Sequence, residues 1–151
     1  RGFDALLRRA AGEGVPILGV CLGMQLLLDG SEEDGGVEGL GLIPGRCVRF
    51  DPARDPAAKI PHMGWNTVAQ TAHPLWAGIT DGAAFYFVHS FFARPTSEAD
   101  VAGRTGHCGE VFASALVRGT LFATQFHPER SGEAGARLLR NFLSWEGGQC
   151  C

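Results

Sequence analysis

The chain has 151 residues, with 13 lysines and arginines against 16 acidic residues, a formal net charge of -3. That length suits one domain burying about two-thirds of its unfolded surface; the charge offers no electrostatic handle for nucleic acid, and no apolar run is long enough to cross a bilayer. Five cysteines, Cys21, Cys47, Cys108, Cys150 and Cys151, contain no Cys-x-x-Cys pair, so neither a disulfide framework nor a zinc site is expected, and a reducing, cytoplasmic setting is.

Phe3, Leu6, Leu7 and Ala10 keep a helical period that stops at Gly12-Glu13-Gly14. Because the chain opens on Arg1 inside this pattern, it is read as a fragment of a longer parent. Residues 15–20 predict a buried strand and residues 22–29 a helix, together a βα unit of an open α/β sheet. A glycine-rich stretch, 30–45, carries the acidic run Glu32-Glu33-Asp34, and residues 46–50 predict a strand. Residues 51–59, with Pro52 and Pro56, are a surface connection. The aromatic run at 84–92 is too short for anything but a central strand. Residues 111–117 and 121–126 predict strands joined by a hairpin turn at Arg118-Gly119-Thr120. A last helix follows Ser131 as N-cap, with Ala134, Leu138, Leu139, Phe142 and Leu143 on one face. Residues 1–146 are expected to form a single domain and 147–151 a disordered tail.

Chemistry enters at Gly19-x-Cys21-x-Gly23. Small residues around a cysteine between strand and helix allow the sharp reversal of a nucleophile elbow. The helix N-terminus is expected to lower the thiol pKa and to cradle an oxyanion. An arbitrary cysteine at the end of a core strand is more often inert, so a partner is needed. His127-Pro128-Glu129, delivered by the strand at 121–126, supplies one: a histidine as general base, a carboxylate to orient it, and a proline to stiffen their spacing. Both groups fall at carboxyl ends of strands, where open α/β sheets gather ligands.

Gly-Val-Cys-Leu-Gly-Met-Gln at 19–25 with Gln-Phe-His-Pro-Glu at 125–129 resembles the class I glutamine amidotransferases, whose Cys-His-Glu triad hydrolyses the side-chain amide of glutamine. Lys-Ile-Pro-His-Met-Gly-Trp-Asn at 59–66, Phe-Tyr-Phe-Val-His-Ser at 85–90 and His-Pro-Glu-Arg-Ser-Gly at 127–132 look like the glutaminase subunits of imidazole glycerol phosphate synthases of histidine biosynthesis. The resemblance runs from about residue 1 to 142. It implies an α/β fold with an open, mostly parallel sheet flanked by helices. Carried over residue by residue, it makes Cys21 the nucleophile, His127 the general base and acid, Glu129 the orienting carboxylate and the Leu22 backbone N–H an oxyanion donor. Gly23, Gln25, Glu33, Ser90 and Phe91 match glutamine-binding positions. Pro61, His62, Met63, Gly64, Trp65, Asn66 and Arg130 match positions near a partner, a (β/α)₈-barrel cyclase subunit that forms a heterodimer with the glutaminase and receives its ammonia. No metal or organic cofactor is implied.

Two departures accompany the resemblance. The family's first strand and helix, and a glycine-rich loop giving the second oxyanion donor, are not in this sequence, so the chain alone is expected to be inactive. Cys108 stands where relatives commonly have tyrosine. Three other readings stay open on the residues alone: another class I amidotransferase, which would not be expected to carry Pro61-His62-Met63-Gly64-Trp65-Asn66; a cysteine hydrolase acting on peptides; and a non-catalytic subunit-interaction fragment.

Overall fold

The computed structural model describes residues 2–148. Helix α1 (Phe3–Gly12) lays Leu7 and Ala11 on the core and ends before Gly14, whose φ of 75° turns the chain back. Strand β1 (Ile17–Val20) then runs straight into α2 (Leu22–Leu27). Gly19 permits that packing: a Cβ there would stand 3.0 Å from the Gly23 backbone and 3.1 Å from Leu27 Cδ1. Short strands β2 (Gly30–Ser31) and β3 (Val37–Glu38) bracket a 3₁₀ turn at Glu33–Gly35, and β4 (Gly45–Arg49) follows.

The second half is richer in strands: β5 (His62–Thr67), β6 (Ala69–Gln70), β7 (Ala84–His89), β8 (Phe91–Pro95), β9 (Val101–His107), β10 (Glu110–Arg118) and β11 (Leu121–Thr124), then α3 (Gly132–Leu143). The nine-stranded sheet has the order β1-β11-β10-β8-β4-β2-β3, with β9 beside β10 and β6 beside β9, while β5 and β7 pair apart as a two-stranded sheet.

The α/β class and the open sheet agree with expectation, but the sheet is not mostly parallel. Among the described residues only β1 with β11 and β2 with β4 run parallel; the other six pairings of that sheet are antiparallel. The short turns explain it. Gly119-Thr120 joins β10 to β11, and Cys108-Gly109, both at positive φ, joins β9 to β10. Two-residue loops connect only antiparallel neighbours, whereas parallel ones need a crossover. The aromatic run at 84–92 is likewise not one central strand. It breaks at Ser90, sending β7 to the small sheet and β8 to the large one.

Alternation along β10 and β11, shifted on β10 by the irregular register between Ala113 and Leu116, divides the core into two layers. Phe112, Ala115, Val117 and Phe122 face an aromatic cluster that includes Phe50, Phe85, Phe87, Trp76 and Leu138. Ala113, Leu116, Leu121 and Ala123 face Met24, Leu27, Leu28 and Ile43. Helix α3 buries Leu138 as expected, but Leu143 is 84% exposed and does not share that face. Ser131 occupies the N-cap position without capping: its hydroxyl donates to His127 O (2.6 Å) and accepts from the Tyr86 N–H (3.0 Å). At the tail, Gly148 donates to Gly119 O and accepts from the Trp145 indole; residues 149–151, including Cys150 and Cys151, lie outside the described residues. No helix among the described residues is long and apolar enough to cross a membrane.

Candidate active site

Cys21 sits at the β1–α2 junction with φ 51° and ψ -105°, a strained conformation for a non-glycine residue. Its N–H donates to Thr124 O at 2.8 Å, which ties the elbow to the end of the neighbouring parallel strand β11. The thiol is half-buried, 3.9 Å from the amide nitrogen Nε2 of Gln125 and 4.0 Å from Val88 O. Burial pushes its pKa above the ordinary thiol value. The Leu22 N–H and Gln125 lower it in part, while the negative charges of Glu129 and Glu33 raise it further. The expected depression of the thiol pKa is therefore not found. One helix terminus, on a helix of only six residues, does not offset desolvation and two carboxylates.

His127 leaves the end of β11 into the 3₁₀ turn Pro128–Arg130. Its N–H donates to Tyr86 O (2.9 Å) and its Nδ1 lies 2.7 Å from Glu129 Oε1. A carboxylate only accepts, so Nδ1 carries a proton, which in the neutral tautomer leaves the lone pair on Nε2. That Nε2 is buried and has no hydrogen-bond partner in the protein. An orphaned buried acceptor is costly, and here it is the atom a general base needs free.

The glutamine-binding candidates surround the elbow. Glu33, on the turn after β2, lines two adjoining clefts: one with Leu22, Gln25 and Ser31, the other with Arg49, Ser90 and Phe91. The space beyond Gly23 is open, with nothing within 4 Å of a Cβ built there. Gln25 is less free than expected, because its Nε2 donates inward to Phe91 O (3.3 Å) and to Gln125 Oε1 (3.4 Å). Two residues were not singled out from sequence. Gln125 is fully buried beside the thiol, and its place at the head of the Gln-Phe-His-Pro-Glu string was the available signal. Arg49 lines the same cleft as Glu33.

The string at 61–66 falls mostly on β5. Met63 and Trp65 are 63% and 59% exposed, as large apolar side chains rarely are, whereas His62 is 5% exposed and stacks on Phe87 and His107. Strand alternation is the reason: His62 points inward, so it does not present a face to a partner as expected from its place in the string. Pro61 is exposed and Gly64 and Asn66 half-buried. Across the strand pair, Trp65 meets Tyr86 edge-on at 6.2 Å, and the Arg130 guanidinium lies 4.2 Å over the Tyr86 ring. This face adjoins the site through Val88, which pairs with Met63 and whose carbonyl faces Cys21. Among the described residues, no group of three or more His, Cys, Asp or Glu side chains is arranged to hold a metal ion.

Residues 2–145 match the model of the family described as glutamine amidotransferase class-I. A solved structure of a glutamine amidotransferase superposes with TM-score 0.68 at 20% identity, over 95% of this chain and 67% of that one. A glutamine amidotransferase from Thermotoga maritima gives 0.62 at 17%, over 93% and 52%. These share the fold, and the chain belongs to the class I glutamine amidotransferases. Its sequence is 55% identical to the imidazole glycerol phosphate synthase subunit HisH of Methylococcus capsulatus over 152 residues, 97% of this chain and 69% of that protein. It is 49% identical to HisH 1 of Pseudomonas aeruginosa, over 97% and 70%. Within the class, it is a glutaminase subunit of the HisH kind.

Proposed function

We propose that Cys21, His127 and Glu129 serve the hydrolysis of L-glutamine to glutamate and ammonia in complex with a synthase partner, and that the ammonia passes to this (β/α)₈-barrel cyclase, bound as a heterodimer in the cytoplasm, within histidine biosynthesis. The observation that carries this reading is the placement of a strained cysteine elbow and of a Glu129-held His127, its Nε2 without a partner in the protein, just past the carboxyl ends of the paired parallel strands β1 and β11.

The raised thiol pKa shapes the mechanism. With little thiolate present beforehand, sulfur attacks the amide carbon as its proton moves to His127 Nε2. The S–C bond forms and the carbonyl oxygen takes up negative charge, which the Leu22 N–H stabilises. The imidazolium, steadied by Glu129, then protonates the amide nitrogen; the C–N bond breaks and ammonia leaves a thioester on Cys21. His127 next takes a proton from water as that water attacks, and collapse of the second tetrahedral species returns the thiol and releases glutamate. Glu33 and Arg49 offer the charges that match the ammonium and carboxylate of the substrate, with Gly23, Gln25 and the Ser90-Phe91 main chain completing the cleft.

Pro61, Met63, Gly64, Trp65, Asn66 and Arg130 are proposed to receive the partner, because an exposed aromatic and arginine cluster next to the site fits the residue types that dominate interfaces. The test supplies amide-¹⁵N glutamine to the chain assembled with its synthase partner and follows the label. The proposal expects ¹⁵N in the imidazole product; ¹⁵N released only as free ammonium, or glutamine left intact, contradicts it.

A further inference from the structure

The buried histidines His62 and His89 have no part in the chemistry above, yet their hydrogen bonds form a directed chain. His89 Nδ1 lies 2.7 Å from Phe91 O. A carbonyl only accepts, so Nδ1 is the donor and His89 Nε2, in a neutral ring, the acceptor. His62 Nδ1 lies 2.9 Å from that Nε2 and must therefore donate. His62 Nε2 then accepts from Asn66 Nδ2 at 3.1 Å, whose second proton goes to Gly106 O at 3.0 Å. Every polar atom of both rings is thus satisfied, and each ring is fixed as the Nδ1–H tautomer. A second ring proton on either histidine would set donor against donor. With 5% and 6% exposure, neither ring exchanges these bonds for water, and burial holds both neutral, at about 3 for His62 and about 4 for His89.

The chain does not stop at Phe91. The same carbonyl accepts from Gln25 Nε2, which also donates to Gln125 Oε1, and Gln125 Nε2 approaches the Cys21 sulfur. An unbroken path therefore joins β5, which carries the exposed Met63 and Trp65, to the thiol. Resting on the glutaminase reading, we infer that His62 and His89 are positioning residues that lock the Phe91 carbonyl, so that the Ser90-Phe91 wall of the cleft and the Gln25–Gln125 pair beside Cys21 are held in register with strand β5.

Paired substitutions test it in the chain assembled with its synthase partner. His89→Phe keeps the aromatic packing against Phe50 and Phe112 but removes the donor to Phe91 O. His89→Asn restores an amide donor near the Nδ1 position. The inference expects His89→Phe to lower glutamine kcat/KM at least about tenfold through a raised KM, His89→Asn to stay within about threefold of wild type, and ammonia-driven synthesis to be unchanged in both. Wild-type kinetics in His89→Phe, or equal losses in both variants with equally lowered Tm, overturns it. Should His89→Phe not fold, ¹⁵N NMR of the wild-type rings decides: Nδ1–H tautomers at His62 and His89 at neutral pH support the chain, and an Nε2–H tautomer at either overturns it. The spectrum requires no turnover, so it judges this inference separately from the glutaminase reading, which the labelled-glutamine experiment on wild type decides.

Discussion

His127 Nδ1 stands 2.7 Å from Glu129 Oε1 while its Nε2 is buried without a partner. Glu129 is 52% exposed at its side chain, so its share is orientation in a partly solvated setting. His127→Ala is expected to lower glutamine turnover by about a thousandfold or more, and Glu129→Gln by about ten- to a hundredfold, because an amide oxygen still accepts the imidazole N–H. Synthesis from supplied ammonia should survive both changes. Initial rates with the two nitrogen sources check this, and loss of the ammonia reaction would place the residues outside a glutaminase role.

The two elbow glycines should behave differently. Gly19→Ala forces a Cβ against the Gly23 backbone and Leu27, with an expected destabilisation of about 1–3 kcal/mol. Gly23→Ala meets nothing and improves helix propensity by up to about 1 kcal/mol. If the space beyond Gly23 receives glutamine, this variant keeps its stability and loses kcat/KM. Urea denaturation alongside glutaminase assays separates the two effects.

Burial lowers His62 from 6.5 to about 3 and His89 to about 4. The unfolded chain therefore binds more protons than the folded one below pH 6.5. Stability from these groups is present above that pH and is lost as pH falls toward 4, with a slope of up to about 1.4 kcal/mol per pH unit for each ring. Replacing both histidines with phenylalanine should flatten the decline between pH 6.5 and 4.5. An identical slope in the variant, read from unfolding curves across that window, would show that other groups carry it.

Trp65 is 59% exposed and lies at the edge of Tyr86. Trp65→Ala is expected to leave Tm within a few degrees but to weaken partner binding by about ten- to a hundredfold, as an aromatic interface anchor does. Titration calorimetry with the synthase partner measures it, and unchanged affinity would exclude this face from the interface.

What was legible in the sequence followed from contiguity. The β1–α2 elbow, the β10–β11 hairpin and the His127-Pro128-Glu129 turn each lie within a few residues, so local periodicity and turn chemistry disclose them. Strand β5 was missed as a strand because Gly64, at φ 127°, interrupts a string with no clear alternation. The break at Ser90 was hidden because both sides are equally aromatic, and only pairing with β5 on one side and β4 on the other separates them. The antiparallel bias of the sheet depends on such pairings. The thiol pKa depends on burial and on Glu33 and Glu129, quantities that neighbouring residues in sequence do not reveal. Gln125, 104 residues from Cys21, reached the site in the same way.

The most direct test of the central claim treats the chain, assembled with its synthase partner, with a diazoketone analogue of glutamine and maps the adduct by peptide mass spectrometry. Cys47 is fully buried and its thiol is pushed up to about 12, and Cys108 is buried against Asp51, so neither competes well as a nucleophile. The account predicts a single adduct on Cys21, prevented by excess glutamine and absent in Cys21→Ser. An adduct on another cysteine, or labelling of Cys21 that glutamine does not prevent, contradicts it.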